Sequence, residues 1–176
     1  RVAKHGNRSI TSKCGSADVL EALGVPIALS PERGAEMCDA TGFVFLYAPM
    51  YHPGLKHAGP VRKSLPFRTV FNILGPLVNP AAVERQIIGV FDPAIAAKMA
   101  DVFRLLKIER ALVVVGASGE KNTSYVDEVS ISGPTDVWDV KSGAVRRLRL
   151  EPRDFGVASA PISELRGGET PEENAR

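Results

Sequence analysis

Unbroken apolar runs of strand length alternate along this chain with segments that open on helix-capping residues, and this alternation restricts the fold more than any other feature. Phe43 to Tyr47 is apolar throughout, as a strand buried on both faces requires. Gln86 to Phe91 and Ala111 to Val115 are further short apolar runs, the last closed by Gly116. The helical segments carry their own punctuation. Ser16 to Leu23 has a serine cap and stops at Gly24, and Ser30-Pro31-Glu32 opens a helix reaching about Ala40, with Gly42 behind it. Asp92-Pro93 opens another, in which Ile95, Met99, Val102, Phe103 and Leu106 fall on one stripe. Pro53 to Leu65 is helix-like, and Phe67 to Leu74 is an apolar stretch ending at Gly75-Pro76. Polar Ala117 to Tyr125 predicts a loop, and Val137 to Val140 with Val145 to Leu150, around Lys141-Ser142-Gly143, predict a hairpin. The expected class is α/β: a mostly parallel central sheet flanked by helices, with a C-terminal antiparallel hairpin, in one domain over residues 1–176.

Composition sets outer limits only. A chain of 176 residues can bury a real core. A net charge of +2 gives no reason to expect a polyanion partner, and no apolar run approaches the ~20 residues a membrane helix needs. Cys14 and Cys38 match no zinc spacing and are too few for a disulfide framework, so reduced thiols and a cytoplasmic location are expected. Arg1 opens without an initiator Met, and Thr170-Pro171-Glu172-Glu173 reads as a helix just starting. The expectation is a fragment of a longer protein.

Ligands of open parallel sheets bind beyond the C-terminal strand ends, and three segments there carry reactive-looking residues. Lys4 to Ser16 combines cations, hydroxyls and two glycines just before a helix start, a composition suited to phosphate rather than to an ordinary solvated loop. Ala48 to Lys63 follows the buried Phe43 to Tyr47 run and contains Arg62, whose guanidinium could hold a carboxylate with two parallel hydrogen bonds, although composition alone favours a surface arginine on a helix. His52 and His57, five apart, do not share a helix face, so zinc is rejected. Asp127-Glu128 offers two hard oxygen donors of the kind Mg²⁺ prefers, although such pairs are also common on surfaces.

Lys4-His5-Gly6-Asn7-Arg8, followed by Thr11-Ser12 and Gly15-Ser16-Ala17-Asp18, resembles the signature of the anthranilate phosphoribosyltransferases. The stretch through Pro66-Phe67-Arg68-Thr69-Val70-Phe71-Asn72 to Asn79-Pro80 resembles the same family. The resemblance implies a fold of the phosphoribosyltransferase and nucleoside phosphorylase type. It implies that Lys4, His5, Gly6, Asn7, Arg8, Thr11, Ser12 and Ser16 bind phosphoribosyl pyrophosphate, and that Asn7, Pro49, His52 and Arg62 bind anthranilate. Asp127 and Glu128 would hold Mg²⁺. Neither a general acid nor a general base is assigned. Thr11 and Cys14 stand where the family more often has Ser, and the segment before Asp127 is longer than usual.

The resemblance spans essentially the whole chain but about half of a typical family member. The family's glycine-rich acidic loop and small N-terminal helical domain are unmatched, so the chain alone is expected to be inactive and its parent to be a homodimer. A pyrimidine nucleoside phosphorylase, for which phosphorolysis of thymidine or uridine would speak, is the alternative enzyme. A nucleic-acid-binding relative, using Arg146-Arg147-Leu148-Arg149, is the non-enzymatic one; the low net charge weighs against it.

Overall fold

The computed structural model describes residues 1–9, 14–56, 71–118 and 124–176; for Leu55, Lys56, Phe71 and Asn72 it describes the backbone alone. These residues gather into two compact units, Arg1–Val83 with Gly167–Arg176, and Glu84–Arg166. Among them no helix is long and apolar enough to cross a membrane.

In the first unit β1 (Val2–Gly6) pairs in parallel with β2 (Phe43–Tyr47), in the register Val2↔Phe43 to Gly6↔Tyr47. Both strands therefore end at the same edge. Helix α1 (Ser16–Ala22) packs beside them through Ala17, which forms a core with Ile27 and Phe45. The cap of α1 is Gly15 in extended backbone, with Ser16 already the first helical residue. The serine cap expected from the sequence shifts by one position because Asp18, three residues on, reaches back to the Gly15 amide. Gly24, at φ +81°, supplies the left-handed stop. Helix α2 (Pro31–Thr41) follows its sequence signals: the Ser30 side chain accepts from the Arg33 amide, and Gly42 closes it at φ +80°. A short α3 (Ala48–Tyr51), a 3₁₀ turn (Pro53–Lys56), α4 (Phe71–Leu74) and a second 3₁₀ turn (Gly75–Val78) follow. Residues 57–65 of the helix-like stretch and 67–70 of the apolar stretch lie outside the described residues. The helix start expected near Pro171 is α6 (Pro171–Asn174), capped by Thr170.

The second unit carries a mixed sheet in the order β3-β4-β6-β7: β3 (Arg85–Gly89), β4 (Arg110–Ser118), β6 (Thr135–Lys141) and β7 (Ala144–Leu150). β3 and β4 are parallel, whereas β6 and β7 run antiparallel to their neighbours. The expected hairpin is present, and its turn is Ser142-Gly143, both at positive φ (50° and 78°), as a two-residue type I′ turn requires. Helix α5 (Pro93–Leu105) is capped by Asp92 and lies against β4 and β6. Its buried stripe is Ala96, Met99, Ala100 and Phe103. Leu106, expected on that stripe, caps the helix and is 60% exposed, because two alanines that a search for large apolar residues passes over occupy the packed face.

The segment Ala117 to Tyr125, expected as a loop, is strand at both ends. Ala117 and Ser118 extend β4, and β5 (Ser124–Val126) pairs back on them in antiparallel register. Its polar side chains mimic a loop because this end of the ladder is more exposed at β5. Residues 119–123 lie outside the described set. The class is α/β, with parallel pairs β1-β2 and β3-β4 and an antiparallel C-terminal hairpin.

Candidate active site

The parallel register of β1 and β2 delivers two of the three sequence-predicted segments to one edge, since Gly6 and Tyr47 are partners and each strand ends there. His5, on β1, and His52, which follows α3, meet across that edge with their Nε2 atoms 3.2 Å apart and their rings edge to face. One imidazole must donate while the other accepts, so the contact excludes a doubly protonated pair. Burial lowers the His5 pKa, the charge of His52 adds to that, and a hydrogen bond to the Gly75 backbone opposes both.

A lowered imidazole pKa has a definite consequence for stability. The unfolded chain protonates near the ordinary value of 6.5, before the folded one does. The contribution of His5 is therefore complete above that value and is lost as pH falls from it toward the lowered folded value. Thermal midpoints between about pH 7.5 and 5 are expected to fall more steeply for the native protein than for His5→Gln. Equal slopes would leave the pair without a role in stability.

Arg8 is anchored inside the first unit. Its Nε and Nη2 donate to the two carboxylate oxygens of Glu21 at 2.8 and 2.7 Å, Nη1 donates to the Tyr47 hydroxyl at 2.6 Å, and the guanidinium lies 4.7 Å over the Tyr47 ring. The Glu21 hydrogen bond is the main reason its pKa is raised. This geometry makes Arg8 a brace joining the loop to α1 and β2. Asn7 is exposed, and its Oδ1 accepts from the Arg8 amide at 2.8 Å. Lys4 and Ser16 are exposed, while Gly6 brings the chain so close over Phe45 that an added Cβ would lie 3.1 Å from the ring. Pro49 is exposed on α3, close in sequence to the half-buried His52.

Sequence reasoning read Asp18 only as part of a motif. In the structure its Oδ2 accepts from the Ser9 amide at 2.9 Å and the Gly15 amide at 2.8 Å, tying together the two described flanks of the first segment. An acidic residue at the third helical position was the available signal. The Gly15 amide is thus engaged by the protein itself. Thr11, Ser12 and Arg62 lie outside the described residues.

Asp127 and Glu128 belong to the second unit. They follow β5 directly, are exposed, and form no salt bridge with any described residue. Among the described residues no group of three or more His, Cys, Asp or Glu could hold a metal. Two carboxylates are hard oxygen donors, which suit a cation that keeps water or substrate oxygens as its remaining ligands, the habit of Mg²⁺. The basic run on β7 is differently disposed. Arg146 faces Asp139 at 3.8 Å, Arg147 faces Asp136 at 3.1 Å and Arg149 faces Glu151 at 3.9 Å, so each arginine has a carboxylate partner. Cys14 and Cys38 are not joined in a disulfide.

Residues 1–176 match the family model described as glycosyl transferase family, a/b domain. An anthranilate phosphoribosyltransferase of Chlorobium phaeovibrioides is 51% identical over 174 residues, covering 99% of this chain and 49% of the relative. That of Chlorobaculum tepidum is 50% identical over 169 residues, covering 96% and 48% respectively. Among solved structures, the Saccharomyces cerevisiae anthranilate phosphoribosyltransferase in complex with PRPP and Mg has a TM-score of 0.81 at 30% identity, covering 98% of this chain and 44% of that one. The same enzyme in complex with 4-fluoroanthranilate has a TM-score of 0.80, also at 30% identity, covering 99% and 45%. The chain spans about half the length of the curated relatives it matches. With its full length matched and its fold shared with these enzymes, the chain belongs to the glycosyl transferase family and carries that family's a/b domain.

Proposed function

We propose that the protein containing this chain transfers the phosphoribosyl group of phosphoribosyl pyrophosphate to the amine of anthranilate. The observation that carries this reading is the meeting of two candidate segments, at His5 and His52, at the end of β1 and β2, in a chain about half identical to enzymes of that name. The amine nitrogen forms a bond to the ribose anomeric carbon, the bond from that carbon to pyrophosphate breaks, and pyrophosphate leaves with the electron pair. The nitrogen then releases a proton. An aromatic amine is already neutral near pH 7, so no strong base is required, and none is assigned.

Lys4, the Ser16 end of the first segment and the hydroxyls of Thr11 and Ser12 bind the donor's phosphates, while Arg8 holds that segment against α1 and β2 through Glu21 and Tyr47. Asn7 and Arg62 orient anthranilate by its amine and its carboxylate, beside Pro49 and His52. Asp127 and Glu128 would hold Mg²⁺, which would supply charge stabilisation to the pyrophosphate leaving group. The protein acts in the cytoplasm as a homodimer, which sedimentation of the full-length protein tests.

The direct test follows anthranilate fluorescence when the full-length protein receives phosphoribosyl pyrophosphate and Mg²⁺. Loss of fluorescence is expected, and an unchanged signal would sink the reading. Arg62→Ala is expected to raise KM for anthranilate by roughly 10–100-fold, the equivalent of one charge-assisted carboxylate contact, with a smaller change in kcat. An unchanged KM would remove Arg62 from the anthranilate site.

A further inference from the structure

The two edges of β4 are occupied by different partners. β6 pairs along one edge through Gly116↔Thr135. β3 pairs along the other as far as Gly89↔Val114, and β5 continues on that side from Gly116↔Val126 to Ser118↔Ser124. A chain leaving β5 therefore runs toward the C-terminal end of β3 and must cross β4 to enter β6. Asp127 and Glu128 are the first residues of that crossing.

The crossing lies on two glycines. A Cβ at Gly89 would stand 1.5 Å from the Asp127 carbonyl oxygen and 2.3 Å from its carbon. A Cβ at Gly116 would stand 2.3 Å from the Glu128 carbonyl oxygen and 2.8 Å from the Ser130 Cβ. The obstructing atoms are mostly backbone, so no side-chain rotation relieves the overlap. Just downstream, the Ser130 amide donates to Thr135 Oγ1 at 3.0 Å, Ser130 Oγ donates to the Ala117 carbonyl at 2.6 Å, and the Ser132 amide donates to Ser130 Oγ at 3.0 Å. Ser130 and Thr135 are 3% and 1% exposed. A backbone fixed below and behind thus presents two exposed carboxylates that no described cation engages. Groups that fix metal ligands in this way are worth roughly 10–100-fold in affinity.

We propose that Gly89 and Gly116, together with the Ser130–Thr135 clasp, are positioning residues for a divalent-cation site at Asp127 and Glu128; this rests on the metal reading above. They touch neither metal nor substrate and act by fixing where the two carboxylates stand. The side chains that replace them displace the Asp127–Glu128 backbone from the sheet, whereas a purely structural role would alter stability and leave cation affinity unchanged.

The test is a titration of the full-length protein with Mn²⁺ alone, read by the loss of the free-ion EPR signal, alongside KM for anthranilate. Gly89→Ala and Gly116→Ala are expected to weaken Mn²⁺ binding at least tenfold with KM for anthranilate within twofold of native. Thr135→Val, close to native in size, is expected to weaken it about three- to tenfold, and it decides the matter if the glycine variants do not fold. Native affinity in a folded Gly116→Ala or Thr135→Val, with Asp127→Asn weakened, would overturn the positioning role. Native affinity in Asp127→Asn itself would instead remove the metal reading and the proposal with it.

Discussion

Replacing Asp127 with Asn and Glu128 with Gln together is expected to lower kcat/KM for phosphoribosyl transfer by about 10²–10³-fold, the usual scale for removing a preorganised stabiliser of transition-state charge. Amide side chains keep the size and one oxygen of each carboxylate but give up the negative charge that holds a hard cation. Both residues are exposed and form no salt bridge with any described residue, so the fold is expected to survive the exchange. Each single substitution is expected to cost less than half of the double on a logarithmic scale, because a cation that keeps several waters tolerates the loss of one ligand. Initial rates measured against Mg²⁺ concentration check this: the activation constant should rise in each single variant and more in the double. Native rates and an unshifted Mg²⁺ dependence in the double variant would make the pair an ordinary acidic surface.

The elements legible in the sequence were those with local causes. Phe43 to Tyr47 is apolar because β2 is covered, and Ser30, Gly42, Asp92 and the Ser142-Gly143 turn all perform the local tasks their chemistry suggests. What escaped depends on partners distant in sequence. β5 is only three residues long, and it exists because the edge of β4 beyond β3 would otherwise be unpaired, which no window around Ser124 can reveal. The packed face of α5 is half alanine, and alanine looks neutral until a neighbouring strand approaches.

The candidate site divides in the same way. Residue types singled out three segments: a cation- and hydroxyl-rich loop, an arginine-bearing stretch and an acidic pair. Their supports were not legible. Arg8 looks like a phosphate ligand in the sequence, yet its guanidinium is shared between Glu21, 13 residues on, and Tyr47, 39 residues on. The His5–His52 contact spans 47 residues and exists only because β1 and β2 are parallel and in register. Gly116 closes one apolar run and Gly89 lies inside another, although the close approach of Glu128 and Asp127 is what forbids a side chain at each.

Asp18→Ala is the expected counterpart of the acidic-pair experiment in the first unit, with about a 10²-fold rise in KM for phosphoribosyl pyrophosphate. Two backbone amides from opposite flanks of the proposed phosphate segment, those of Ser9 and Gly15, converge on one oxygen of this carboxylate. Bonds of that kind are worth about 1.5 kcal/mol each at a half-exposed site, and about 3 kcal/mol of lost organisation corresponds to roughly two decades in affinity. Because both donors meet Oδ2, Asp18→Asn retains an acceptor in the same place and loses only charge, so its effect should fall well short of that of alanine. The hydrogen bond from Ser9 leads the causes that lower the Asp18 pKa, so the tie is intact above the ordinary carboxylate value of 3.8 and loosens only as pH falls through the lowered folded value. Donor affinity should therefore show no Asp18-dependent change near neutral pH. If alanine and asparagine weaken donor binding equally, the charge rather than the two-amide tie organises this loop; if neither does, the loop holds its shape without Asp18.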